Sequence, residues 1–350
     1  MPEPLVSIVV NNFNYARFLP QSIASALAQT YPRTEVIVVD DASTDGSRDI
    51  IRSFGERVVP VLQERNGGQA AAMNAGFAAS RGDLVIFLDA DDYLYPNAAQ
   101  KAASAFAPGV GTIQYRLHLV DGSGTRIDLY PPPEVAFDSG DVIPKLLATG
   151  RYEGTVTSGN AFVRKTLSAI FPIPAEQFRI SADGYLVTTA PFYGAIASID
   201  EPLGAYRMHG NNLWMSGPSL ALRFRRSMLH DADKHRVLAQ RAASLGLASN
   251  PQPGLQDYQH LGIRLGSICL EPGQHPIASD TRMGVAVQGA RATLRARLPW
   301  KRRVLLATWF LCVGALPRRF ARELLSWYFD RSSRPKKLAR VFKILRVITN

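Results

Sequence analysis

Cysteine is nearly absent: Cys269 and Cys312 are the two in 350 residues. Thiols so sparse, and without metal-ligand spacing, exclude a disulfide-stapled scaffold and point to free thiols in a reducing compartment. The start has no basic leader, since Met1-Pro2-Glu3-Pro4 runs straight into the apolar segment Leu5 to Val10, so export is not expected. The strongly apolar stretch Val304 to Leu316 is 13 residues long, short of the roughly 20 that a helix needs to cross a bilayer. No Gly-x-Gly-x-x-Gly follows the first apolar segment, which disfavours a nicotinamide dehydrogenase. Repeats of solenoid length and low-complexity tracts are missing too.

Acids are scarce at one end only. Residues 291–350 carry 16 Lys and Arg against Glu323 and Asp330, a net +14 where the whole chain is +11, so residues 1–290 are net −3. The cations flank the apolar stretch, a pattern that suits an anionic membrane surface better than nucleic acid. Trp300, Trp309, Trp327 and Tyr328 would then stand at headgroup level. The alternative is a core helix packed on the rest of the protein.

What is present in the first hundred residues is an alternation of apolar strands and helices. Strands are predicted at Leu5–Val10, Glu35–Val39, Val58–Leu62 and Leu84–Leu88, with helices at Pro20–Gln29, Gly46–Phe54 and Gln69–Ser80. This is the pattern of a mostly parallel α/β sheet. Ligands in such sheets sit beyond the carboxyl ends of the strands, and every strand end here is polar: Asn11 to Tyr15, Asp40 to Gly46, Glu64 to Gly68, and Asp89-Ala90-Asp91-Asp92. Two carboxylates one residue apart in extended chain can approach one hard divalent cation, which takes its remaining oxygens from water and substrate phosphates. Gly67-Gly68 is either a turn or a place where backbone approaches a phosphate at a helix start. Asp45 or Thr44 reads equally as a cap of the helix that follows.

These segments, in this order, resemble family 2 glycosyltransferases. The residues that carry the resemblance are Val6 to Tyr15, Gln29-Thr30-Tyr31-Pro32, Glu35 to Ser47, Asn66-Gly67-Gly68, Asn74-Ala75-Gly76 and Phe87 to Tyr93. It continues more weakly through Ser158 to Lys165, Ile180 to Leu186 and Tyr206 to Asn212. The resemblance implies a GT-A fold, with residues 1–108 as the nucleotide-sugar-binding half and 109–215 as the acceptor-binding half; residues 216–350, beyond the resemblance, read from their own pattern as a helical C-terminal region with a basic, amphipathic, membrane-associating tail. It implies a non-processive, inverting transferase of the hexosyltransferase type. A nucleotide-diphosphate sugar, with UDP expected, would donate to a glycan or lipid-linked hydroxyl in cell-envelope polysaccharide synthesis.

By the same resemblance Asn11, Phe13 and Asp41 hold the base, and Gly67 lies by the donor. Asp91 is the main ligand of Mn2+ or Mg2+, Asp89 reaches the ribose or a metal-bound water, and Asp92 stands behind them. Asp183 matches the general base, and its other reading is a helix cap. His209 closes on the diphosphate or metal. Two positions depart from the family pattern: Ala182 precedes Asp183 where an acid is common, and Met73 stands where a basic residue is common, leaving Arg65 or Arg207 to supply the charge. Those departures keep open a catalytically silent, membrane-docked homologue beside the enzyme, which would work on the cytoplasmic face. A processive synthase is disfavoured by the lack of a Gln-x-x-Arg-Trp motif. Residues 131–147 read as an irregular insertion facing the acceptor, 220–247 as a helix, and 272–276 as a linker.

Overall fold

A computed structural model of the chain describes residues 3–210, 212, 219–296, 298–330 and 333–335. The chain forms two compact units, residues 1–144 with 152–214 and residues 145–151 with 215–350.

In the first unit the elements run β1 (Val6–Asn12), α1 (Leu19–Leu27), β2 (Thr34–Asp40), α2 (Ser47–Ser53), β3 (Val59–Leu62), α3 (Gln69–Ala79), β4 (Leu84–Asp89), β5 (Tyr93–Leu94), α4 (Ala98–Ser104), β6 (Val110–Asp121) and β7 (Arg126–Tyr130). After α5 (Ile143–Thr149), whose residues 145–149 belong to the second unit, come β8 (Asn160–Val163), α6 (Arg164–Ile170), α7 (Asp183–Thr189) and β9 (Ala195–Met208). The four strands read from the first hundred residues are all present. β1, β2, β3 and β4 are mutually parallel in the order β3-β2-β1-β4, and β8, β6, β9 and β5 continue the same sheet. The pairings of β8 with β4 and β6 are antiparallel, while β6 and β9 are parallel. One continuous sheet therefore joins the first four strands to those that follow.

The local sequence explains the layout. Every residue of β1 is buried, as expected of a parallel strand covered on both faces. β3 is the edge strand, which is where Pro60, with no N–H to give a ladder, is tolerated. α3 packs so close to β1 that a Cβ on Gly76 would lie 2.2 Å from Val9 Cγ1, so glycine is required there. Register does the positioning: Asn12 pairs with Asp40, and Asn11 with Asp89, so the end of β1 lies between two acidic strand ends.

The irregular stretch after β7 is pinned rather than loose. The buried Arg116 guanidinium donates to the carbonyls of Pro131 (2.6 Å), Pro132 (3.1 Å) and Val135 (3.0 Å).

The second unit is helical: α8 (Leu220–Ser244), α9 (Tyr258–Leu270), α10 (Arg282–Arg295), α11 (Trp300–Ala315) and α12 (Arg318–Phe329). Leu261, Leu265, Val285, Leu306, Phe310, Val313 and Leu325 form its core. One expectation is corrected here. Trp309 and Tyr328 do not face a membrane; they are buried and stacked on each other with ring centroids 4.3 Å apart. Residues 272–276, read as a linker, lie in the connection between α9 and α10, which opens with a short turn at Pro272–Gln274 and in which His275 contacts Ser267 and Asp280. Among the described residues no helix is long and apolar enough to cross a membrane. The end of the basic tail, residues 336–350, lies outside the described residues. Cys269 and Cys312 are free thiols.

Candidate active site

The carboxyl ends of β1, β2 and β4 bring the predicted site residues together. The Asp40-Asp41 pair divides its labour. Asp40 is internal: Asn12 Nδ2, the Ser43 amide and Arg48 Nε donate to it at 2.9, 3.0 and 2.9 Å. Asp41 reaches across to the loop before α3, where the amides of Gly67 and Gly68 donate to its two oxygens at 2.8 and 2.7 Å and Asn66 Nδ2 adds a third bond at 2.9 Å. Burial pushes the Asp41 carboxyl up despite those amide bonds.

The glycine loop is thus held by a carboxylate from the neighbouring strand. Gly68 has φ +83°, and a Cβ there would lie 2.4 Å from the Arg179 carbonyl oxygen, so only glycine fits. Three residues that are not glycine, Asn14, Ala42 and Ser181, hold φ near +60° (59°, 60° and 59°), and all three lie in loops at this edge. Such conformations cost on the order of 1–3 kcal/mol each and persist where the surroundings enforce them. Asn14 is enforced by its exchange with the β2 loop, accepting from the Thr44 amide at 2.8 Å and donating to Ser43 Oγ at 2.9 Å.

Asn11 lies in β1 and Phe13 directly after it. The Asn11 carboxamide is buried, yet neither its nitrogen nor its oxygen has a protein partner. Buried polar groups are nearly always satisfied, so an orphaned pair at a strand end marks a place for a ligand. Phe13 is 36% exposed, an aromatic face open to stacking.

The acidic turn after β4 is crowded. Asp89 is pushed up to about 8 by burial, then by the charges of Asp91 and Asp183. Asp92 is raised by burial and by Asp91 and Asp89, and it is held internally by Ser158 Oγ (2.6 Å) and the Arg207 amide (2.9 Å). Asp91 meets His209 Nε2 at 3.0 Å, and Asn212 Nδ2 lies 3.3 Å from the same oxygen. Phe18 and Tyr15 wall the His209 ring at centroid distances of 4.8 and 5.6 Å. Burial and the Asp91 charge raise the Tyr15 hydroxyl.

Among the described residues no three His, Cys, Asp or Glu side chains form a self-contained metal cage. Asp91 with His209 offers two ligands beside further negative charge, a donor set that fits a hard cation completed by diphosphate oxygens. Asp89 and Asp92 are each raised in part by their acidic neighbours, and a cation held beside Asp91 would relieve that repulsion.

Asp183 is the first residue of α7, with Ala182 in the capping position, and it accepts from the adjacent Gly184 amide at 3.0 Å. It is therefore not the cap. Gln69, which sequence reasoning missed, ties it to the acidic turn. Its Nε2 donates to Asp89 Oδ1 at 3.0 Å, and its Oε1 accepts from the Ala182 amide at 2.9 Å. The signal in the sequence was its place directly after Gly67-Gly68. Ser158 was also missed as the anchor of the acidic turn.

The expectation that Arg207 offers charge to the donor is corrected. Its guanidinium is buried, donates to the Asp91 carbonyl (2.8 Å) and Gln21 Oε1 (2.6 Å), and lies 4.8 Å from the centre of the Phe18 ring. Arg65 is exposed at the glycine loop. Met73 and Ala182 are both fully buried.

A sequence model of glycosyl transferase family 2 matches residues 7–149. Over 222 residues the chain is 40% identical to an uncharacterized glycosyltransferase of Nostoc sp., covering 61% of this chain and 68% of that protein. The chain belongs to glycosyl transferase family 2. It is also 40% identical over 93 residues to the putative teichuronic acid biosynthesis glycosyltransferase TuaG of Bacillus subtilis, 26% of this chain and 37% of that one. In three dimensions this family 2 chain is similar to S. aureus TarS crystallised with UDP-GlcNAc, at TM-score 0.51 and 17% identity over 95% of this chain and 93% of that one. The mannosyltransferase PcManGT of Pyrobaculum calidifontis, crystallised with GDP-Man and Mn2+, superposes at TM-score 0.52 and 18% identity over 93% of this chain and 85% of that one. The fold is the GT-A fold that the sequence led us to expect.

Proposed function

We propose that the chain is a non-processive, inverting sugar transferase that uses a nucleotide-diphosphate sugar, with UDP as the nucleotide, and a glycan or lipid-linked hydroxyl as acceptor. The observation that supports the reading is that Gln69 hydrogen-bonds both the Asp89 carboxylate and the amide of Ala182, next to Asp183, whose charge helps to raise Asp89. Asn11, Phe13 and Asp41 hold the base, the loop at Gly67 borders the diphosphate, and Asp91 with His209 would hold Mn2+ or Mg2+, Asp89 lying alongside. The cation, when bound, would offset charge developing on the leaving diphosphate.

Asp183 takes the proton of the acceptor hydroxyl as that oxygen forms its bond to the anomeric carbon, while the bond from that carbon to the diphosphate breaks on the opposite face and the nucleoside diphosphate leaves. One displacement gives inversion. Similarity to TuaG supports an acceptor of the cell-envelope glycan class. The basic end of the chain supports a peripheral position on the cytoplasmic face of a membrane.

A thermal-shift screen of nucleotides with and without Mn2+ tests the donor assignment, because a ligand stabilises the native state in proportion to the logarithm of its excess over Kd. UDP with Mn2+ is expected to give the largest shift. Equal shifts for all nucleotides, or none that needs metal, would overturn it.

A further inference from the structure

We propose that an exposed apolar stripe on α11, framed by cations, is the surface through which the chain docks on an anionic lipid bilayer. This rests on the peripheral localisation proposed above and gives it a place in the fold. Trp300, Val304 and Leu311 are 64%, 52% and 45% exposed. At about 100° per residue they fall within roughly 40° of one another, so they form one stripe.

The opposite face of the same helix, with Leu306, Phe310 and Val313, fills the core of its unit. A helix apolar on both faces is at home in a core or against lipid, and α11 has only one face in the core. Charge selects among occupants. Residues 291–322 carry nine Lys and Arg and no Asp or Glu. Lys301 lies over the Trp300 ring at 5.7 Å, and Arg318 and Arg319 are exposed just beyond the far end of the helix.

Tryptophan beside a lysine is the side-chain pair of a membrane interface, and cations at both ends of an apolar stripe match anionic headgroups around buried acyl carbon. Each cation near such a surface multiplies binding on the order of fivefold. Nucleic acid would match the charge but would set the stripe against phosphates.

Co-sedimentation of the full chain with phosphatidylcholine vesicles, with and without phosphatidylglycerol, tests this against a Trp300→Ser, Val304→Ser, Leu311→Ser triple variant. The intact chain is expected to sediment with the anionic vesicles, and the triple variant to bind about tenfold less or weaker still. An unchanged shift with UDP and Mn2+ would show that the variant is folded. A triple variant that binds as well as the parent would overturn the stripe while leaving membrane localisation to the basic end of the chain. An intact chain that stays in the supernatant would overturn both. Self-association lost in the triple variant, without vesicle binding, would assign the stripe to a second copy of the chain and overturn the proposal.

Discussion

Gln69 and Asp89 are joined by a hydrogen bond of 3.0 Å, from the carboxamide nitrogen of one to a carboxylate oxygen of the other. The same carboxamide accepts from the Ala182 amide at 2.9 Å. One neutral side chain therefore sets the spacing between the proposed donor carboxylates and the proposed base. Gln69→Ala is expected to lower kcat by about a hundredfold, the scale of a 1 Å misplacement, with UDP binding little changed. Equal losses in kcat and in UDP affinity would make Gln69 part of donor binding.

Asp183→Asn and Asp91→Asn should separate. The first keeps the shape but cannot accept the acceptor's proton, so transfer is lost while nucleotide binding survives. The second should weaken Mn2+-dependent nucleotide binding itself, as isothermal titration would read directly. Near-normal turnover of Asp183→Asn would move the base elsewhere.

Gly68→Ala places a methyl against the Arg179 carbonyl in a left-handed conformation. A loss of roughly 1–3 kcal/mol in unfolding free energy is expected, read as a lower midpoint in urea. A neutral variant would mean that the glycine loop and the Arg179 segment move apart at little cost.

The second unit should be acid-sensitive. Burial first, then Lys234, depresses His230 to about 4, and burial likewise takes His235 to about 4. Unfolded histidines titrate near 6.5, so between about 6.5 and 4 the unfolded chain binds more protons, and stability falls as pH falls through that window. The carboxyl of Asp231, depressed by Lys234 and His260 against the opposing effect of burial, adds a loss of the same sign at lower pH. Thermal denaturation from pH 7.5 to 5 should show a falling Tm; His230→Gln with His235→Gln should flatten it.

The carboxyl ends of β1, β2 and β4 were legible because they follow apolar runs that are buried, and an acid after Val38-Val39 or Phe87-Leu88 has no reason to be there except at a sheet edge. Register then did what sequence order cannot: it set Asn11 beside Asp89. Gln69 was hidden because a helix-starting glutamine looks like any solvated polar residue until residue 182 is folded against it. Arg207 misled for the opposite reason. A guanidinium in a polar, glycine-bearing segment looks free for anions, yet here it is buried among backbone carbonyls. Trp309 and Tyr328 misled likewise, since an amphipathic helix in a core and one at a lipid surface share one sequence pattern.

The wiring of Arg207 makes the acidic turn and the end of β9 one mechanical piece. Its amide is fixed to Asp92, and its guanidinium to the Asp91 carbonyl and to Gln21 on α1. A displacement of the acidic turn therefore carries the end of β9 and Gln21 with it. The Arg207 amide becomes a built-in reporter as well: hydrogen exchange there measures how often the turn that presents Asp91 comes open.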